Sequence, residues 1–163
     1  MLRLMVISRL ALDSSTKNPI VILKEVDGER SLPIWIGLLE ANAIVSELEG
    51  VTFSRPMTHD LLKNMMDMLG IEVRSVEVSD LKNDTYYALI HIIHNGREIS
   101  IDARPSDALA LSLRCGAPIF ASEDAIDKST RIDLQGEPED TSDEGKRWLD
   151  ILEKINPDDF GNT

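Results

Sequence analysis

The sequence predicts an α+β fold: a duplicated unit of three strands and a helix, forming a mostly antiparallel or mixed sheet with helices packed against it, plus a C-terminal helix. Three observations predict it. First, two segments read alike, Leu32–Gly50 (LPIWIGLLEANAIVSELEG) and Glu98–Gly116 (EISIDARPSDALALSLRCG). Ile34 falls opposite Ile101, and Glu40-Ala41 opposite Asp107-Ala108, at a common offset of 67 residues. A shared offset across a strand, a turn and a helix marks an internal duplication. Second, each copy is preceded by apolar, β-branched runs separated by turn residues, so strands arrive in threes. Third, runs of strands followed by one helix favour α+β over the strict alternation of a doubly wound sheet.

The first half opens with a strand at Leu4–Leu12. Arg3 and Arg9 interrupt its apolar run and no small-residue cleavage site follows, so it reads as a strand rather than a secretion leader. A polar turn, Asp13–Pro19, leads to a β-branched strand at Ile20–Val26. Asp27-Gly28 predicts a type I′ hairpin turn, whose two central residues take positive φ. Ser31–Ile36 returns as the third strand and Gly37 breaks it. Leu38, Ala41, Ile44, Val45 and Leu48 then keep a helical period up to Gly50, a C′ residue. A second helix is predicted over Thr58–Leu69, with Thr58 as N-cap, Asp60 at the positive end of the dipole, and several methionines filling its apolar face.

The second half repeats the pattern. Ile71–Val78 alternates and slips phase near Ser75-Val76, which predicts a bulge. Thr85–His94, apolar on both faces, reads as an interior strand. His94–Arg97 is a hairpin turn, Glu98–Ala103 a strand, and Pro105 opens a helix at the position where its missing N–H loses no partner. A short segment, Pro118–Ala121, and a helical turn near Ser122–Ile126 follow. Residues 133–143 read as an acidic linker, and Trp148, Leu152 and Ile155 space an amphipathic helix behind a Thr141/Glu144 capping box. The expected organisation is one domain, with 1–135 as its body and 136–163 as linker and helix.

Composition bounds the function. Hydrophobic residues make 42% and charged residues 28% of the 163, as in ordinary globular domains. No apolar run approaches the roughly 20 residues that span a bilayer, so no membrane partner is expected. A single cysteine, Cys115, excludes an intrachain disulfide and suits a cytoplasmic protein. The net charge of −12 is uneven: residues 1–121 hold 16 acidic and 12 basic residues, residues 122–163 hold 13 and 5. Nothing resembles the basic stripe that tracks a phosphate backbone. Walker loops, dinucleotide fingerprints, HExxH and paired CxxC are missing.

Two segments combine an Arg, a Pro and carboxylates beside a helix N-terminus: Arg55–Asp60 (RPMTHD) and Asp102–Asp107 (DARPSD). Arg55 and Arg104 suit bidentate contacts with phosphate, and helix N-termini favour anions. Asp102, Asp107 and Glu40 are candidate ligands for Mg²⁺ or Mn²⁺, which can polarise a phosphodiester and activate water. His59, Asp60, Asp102 and Asp107 are the candidate catalytic residues, with His59 as general base. The competing reading is structural: the arginines pair with Asp60, Asp102 or Asp107 to fix strand-to-helix corners, and the acids serve helix dipoles. His91 and His94 read as structural, Cys115 as a small buried residue, and Trp35 as core or interface.

At these same residues the chain resembles the bifunctional nuclease domain family. The resemblance rests on Leu32–Gly37 with Glu40-Ala41, Arg55–Leu61, Ile101–Ala108 and Ala117–Phe120, in order along the chain. It implies a duplicated α+β fold, self-association as in bacterial relatives, and nuclease activity on RNA and DNA as described for plant members. Some relatives append a short helical module at the C-terminus; none is expected after Thr163. Three readings stand. The first is a metal-assisted phosphodiesterase of low sequence specificity, in which Arg55 or Arg104 steadies the phosphate. The second is a non-enzymatic oligomeric binding or regulatory module, and the third a small-anion or nucleotide site at the two helix N-termini.

Overall fold

The computed structural model describes residues 1–130, and the predicted linker and C-terminal amphipathic helix lie outside them. Strands β1 (Leu2–Leu12), β2 (Pro19–Glu25) and β3 (Ser31–Trp35) lead to helices α1 (Leu38–Leu48) and α2 (Thr58–Met68). Strands β4 (Glu72–Lys82), β5 (Thr85–His94) and β6 (Arg97–Ala103) lead to α3 (Pro105–Cys115), then β7 (Ile119–Ser122) and α4 (Glu123–Ser129). The duplication is therefore real at the level of the fold: each copy is an antiparallel three-strand meander followed by a helix, and α2 is inserted between the copies.

All seven strands join one sheet in the order β3-β2-β1-β7-β4-β5-β6. Every pairing is antiparallel except that of β4 with β7. The four-residue β7 stitches the copies together. It pairs antiparallel with Leu2–Met5 of β1 and parallel with Val76–Val78 of β4. Periodicity could not announce this role, because β7 is too short to carry a pattern and its partners lie over 40 residues away in sequence.

One face of the sheet carries the core. Val21, Leu23, Ile34, Val76 and Val78 pack with Ile44 of α1, Leu109 and Leu111 of α3, and Ile126 of α4, all almost fully buried. α3 is the central helix, lying against α1, α2, β4 and β5. Ala108, Ala110 and Ser112 let it approach its neighbours closely, while full burial of Leu109 and Leu111 contributes about 2–3 kcal/mol each.

Three local expectations change. The β2–β3 turn is not type I′, for neither Asp27 nor Gly28 has positive φ. Its glycine is needed for space: a Cβ on Gly28 would lie 2.1 Å from the Glu25 carboxylate, which folds under the turn to bind Arg30. The N-cap of α2 is Met57 rather than Thr58, and Asp60 supplies the capping contact by accepting the Met57 backbone N–H at 2.9 Å. Finally, β4 runs on to Lys82, past register shifts at Val73/Ser75 and Val78/Asp80, because Asn83 and Asp84 (φ 49° and 58°) close a tight two-residue hairpin into β5.

Candidate active site

The two strand-to-helix junctions of the duplication meet on one side of the molecule. In each copy the strand ends, one residue caps the helix, and an acid sits three residues on: Gly37 and Glu40 for α1, Arg104 and Asp107 for α3. The inserted α2 obeys the same rule with Met57 and Asp60. An acid at this position faces the unpaired N–H groups of the first turn, where the helix dipole favours negative charge. Three helix N-termini thus carry Glu40, Asp60 and Asp107 for one elementary reason.

Tertiary packing then links them. The Arg104 guanidinium donates from Nε to Asp107 Oδ2 (2.7 Å), from Nη2 to Asp107 Oδ1 (3.1 Å) and from Nη1 to Glu40 Oε1 (2.9 Å). The equivalent acids of the two copies therefore share one arginine. Asp107 Oδ1 also accepts from His59 Nε2 at 3.0 Å, with His59 only 15% exposed. A carboxylate only accepts, so Nε2 carries the proton of this contact, and Nδ1 has no partner among the described residues. Burial opposes charge on Asp107, but Arg104 and then His59 outweigh it and hold the carboxyl below the usual range. Asp107 in turn raises the Arg104 guanidinium, with Glu40 adding to it.

A second arginine works differently. Arg114, at the C-terminal end of α3, is 4% exposed and donates from Nε to Asp60 Oδ1 at 2.7 Å. Its Nη1 donates to the Ala43 and Ala110 carbonyls, both at 2.8 Å. It ties α1, α2 and α3 together, and its contact is the main reason that the Asp60 carboxyl lies below its usual range, with the Met57 N–H adding to it. Sequence reasoning missed Arg114. No spacing rule connects it to Asp60, 54 residues away.

The structure thus brings Glu40, His59, Arg104 and Asp107 into one hydrogen-bonded chain, with Asp60 next to His59 but engaged by Arg114. Arg55 and Asp102 are not members of that chain of contacts. Both are exposed, and neither makes a side-chain hydrogen bond or ion pair among the described residues. The expected metal set of Glu40, Asp102 and Asp107 is likewise not assembled. No three His, Cys, Asp or Glu side chains converge as ion ligands among the described residues. The Arg104 guanidinium bridges the Glu40 and Asp107 carboxylates, where a cation shared by them would lie, so these residues do not fit a metal centre as arranged.

Gly37 lies directly under the Glu40 carboxylate. A Cβ there would lie 2.1 Å from Glu40 Oε2, so its absence lets the Glu40 side chain fold back over the helix start on its way to Arg104. Beside this chain opens a cavity of about 490 Å³, lined by Trp35 and Gly37 from the first copy, Tyr86 from β5, and Arg104 and Ser106 from α3. Strand β3 is an edge of the sheet and β5 adjoins the other edge, so the sheet curls far enough for both to reach one cavity.

Two further polar residues lie outside this chain of contacts. His91 bridges Glu77 and Ser100 across three strands. The Cys115 thiol is half-buried and burial pushes its pKa up, the opposite of an activated nucleophile. Among the described residues no helix is long and apolar enough to cross a membrane.

A family model described as Bifunctional nuclease domain matches residues 21–133, a span that holds every member of this chain of contacts. An uncharacterized protein of Mycobacterium tuberculosis (strain H37Rv) is 38% identical over 151 residues, 90% of each chain. Bifunctional nuclease 1 of Oryza sativa subsp. japonica is 31% identical over 110 residues, 66% of this chain and 33% of its own. Bifunctional nuclease 1 of Arabidopsis thaliana is 33% identical over 106 residues, 63% of this chain and 33% of its own. The chain thus spans a third of the length of each plant relative.

Proposed function

The chain belongs to the bifunctional nuclease domain family, and on that premise we propose that it hydrolyses phosphodiester bonds of RNA or DNA at the Glu40–Arg104–Asp107–His59 chain. The observation that carries the reading is the His59–Asp107 contact, held from behind by Arg104. Asp107 orients His59 and stabilises the imidazolium that forms when Nδ1 takes a proton from the attacking water. The water oxygen then bonds to phosphorus as the bond to the leaving oxygen breaks; the leaving oxygen takes a proton from solvent, and His59 returns its own to solvent. Arg104 has five N–H donors, of which three are committed to Asp107 and Glu40. It is 64% exposed, so its remaining donors can reach a phosphate oxygen and the charge that builds there. Nothing in this scheme reads a base sequence, in keeping with low specificity.

The test is cleavage of labelled single-stranded RNA and DNA by the wild type and by His59→Ala and Asp107→Asn. Loss of turnover in both variants, with melting temperatures within a few degrees of the wild type, supports the reading. Equal loss of fold and activity returns these residues to a structural role, and a wild type inert on every substrate overturns the reading. Mg²⁺ or Mn²⁺ dependence is a separate arm of the same assay. Turnover abolished by EDTA assigns a cation to the reaction, and full turnover in EDTA assigns the chemistry to the protein's own side chains.

The second reading, a non-enzymatic oligomeric binding or regulatory module in the cytoplasm, draws on a different observation. Edge strand β6 exposes Ile99 (44%) and Ile101 (43%) on the face that carries core residues in β5, and α2 exposes Leu61, Leu62 and Met65. These apolar surfaces suit contact with further copies of the chain. Light scattering after size exclusion tests it: a monomer at tens of micromolar concentration overturns self-association, whatever the outcome for cleavage.

A further inference from the structure

We propose that Ser100, His91 and Glu77 form a second site, in which an activated serine attacks small uncharged carboxylic esters. The His91 ring lies between the other two: Nδ1 is 2.9 Å from Ser100 Oγ, and Nε2 is 3.0 Å from Glu77 Oε2. A carboxylate only accepts, so in the neutral ring Nε2 carries the proton and Nδ1 accepts from the Ser100 hydroxyl. Nucleophile, base and orienting acid in that order are the arrangement on which serine hydrolases of unrelated folds converge, here with the two ring nitrogens exchanged. The trio shares no residue with the Arg104 chain, so neither site depends on the other.

Three adjacent strands supply one residue each. Val76, Ile90 and Ile101 make one row across β4, β5 and β6 on the core side, so alternation turns their neighbours Glu77, His91 and Ser100 to the opposite face. His91 stands directly across from Ser100 in the register, and Glu77 is one diagonal step away on β4. The base and the acid are sheltered, at 18% and 15% exposed, while Ser100 is open to solvent. Strand β6 ends the sheet, and alternate residues of an edge strand leave their N–H groups unpaired. A free N–H donor for an oxyanion therefore lies on Ser100 itself or on its chain neighbours.

The surroundings set the substrate class. Leu89 and Ile93 flank His91 two places away on the same face, and Glu98 and Asp102 flank Ser100 in the same way. Apolar side chains beside the base suit an uncharged acyl group, and the acids beside the nucleophile repel an anionic one. In the reaction Nδ1 takes the Ser100 proton as Oγ bonds to the ester carbon. The bond to the alcohol oxygen then breaks, and that oxygen leaves with the proton held on Nδ1. Water adds to the acyl-serine by the same steps, releasing the carboxylic acid and restoring the Ser100 hydroxyl. Glu77 touches no reacting atom and is a positioning residue.

A fluorophosphonate probe tests for an activated serine: Oγ bonds to phosphorus, fluoride leaves, and the adduct persists for mass spectrometry. Ser15 is the control within the same chain, an exposed serine whose hydroxyl donates to the Asp13 carboxylate at 2.7 Å rather than to an imidazole. In the full wild-type chain Ser100 should label at least about a hundredfold faster than Ser15, the lower end of what a positioned base supplies. His91→Gln should bring Ser100 down to the Ser15 rate, and Glu77→Gln to an intermediate one, with melting temperatures within a few degrees of the wild type. Equal labelling of Ser100 and Ser15 in the wild type overturns the site and needs no variant to fold. Fast labelling that survives His91→Gln overturns it as well. The substrate class is tested with the acetate and the anionic succinate monoester of 4-nitrophenol. Faster turnover of the acetate, abolished by Ser100→Ala, supports the class; equal turnover of the two esters, or turnover unchanged in Ser100→Ala, overturns it.

Discussion

The two copies of the duplicated unit share a backbone plan but differ at one position that matters most. Where the second copy caps its helix with Arg104, the first has Gly37, and each is followed three residues later by an acid, Glu40 or Asp107. A symmetric pair of arginines would have neutralised both acids within their own copies. Instead one arginine serves both, and the glycine leaves room for Glu40 to reach across. The two copies thus share a scaffold and differ at the cap: the second supplies the arginine that both acids use, and both junctions line the cavity. The inserted α2 then brings His59 to the second copy's acid alone.

The largest effect should come from removing the group only the second copy engages. His59→Ala is expected to lower turnover on single-stranded substrate by about a hundred- to ten-thousandfold, the range for a positioned acid–base group. Its melting temperature should fall by no more than a few degrees.

Making the copies alike is the next test. Arg104→Gly copies the first junction into the second and removes the bridge between Glu40 and Asp107. Its ion pairs are solvent-exposed and worth at most about 1 kcal/mol of stability. A loss of turnover of about a hundredfold or more is expected, as for other donors aimed at developing charge, with a nearly unchanged denaturation midpoint. An inactive and equally unstable protein would mean that the asymmetry is structural.

Arg114→Ala sharpens the contrast between the two arginines of α3. It removes a buried guanidinium from Asp60 and two carbonyls, which should destabilise the fold by about 2–3 kcal/mol in urea denaturation. Activity per folded molecule should be retained. The opposite pattern, stable and inactive, would move Arg114 into the reaction.

The smallest effect is on the acid limb of stability. Asp60 and Asp107 both have folded pKa values below the ordinary value of 3.8. Their contribution is therefore complete above that value and is lost as pH falls through the lowered folded values. Asp60→Asn should flatten the fall in melting temperature below about pH 4; an unchanged acid limb would show that the Arg114 contact contributes nothing to it.

Most of the architecture was legible in the residues because it rests on local rules. Helix α1 and strand β5 begin and end where periodicity and breakers put them. Asn95-Gly96 closes its hairpin with both φ values positive. The Asp27-Gly28 turn failed because a side chain, Glu25, fills the turn's interior, which dipeptide preferences do not record. Of the site, His59, Arg104, Asp107 and Glu40 were legible as polar residues beside helix starts. Their grouping into one chain of hydrogen bonds was not.

By itself the sequence determined the α+β class, the duplication, the acids at three helix starts and the family, all of which depend on spacing along one chain. Only the tertiary structure decided that β7 joins the copies, that the Arg104 guanidinium bridges Glu40 and Asp107, and that Arg114 ties α1, α2 and α3 together. The physical reason is range. Turns, caps and periodic faces are fixed by residues a few places apart, whereas these contacts join residues 43 to 120 positions apart and exist only once the curled sheet and α3 have set the distances.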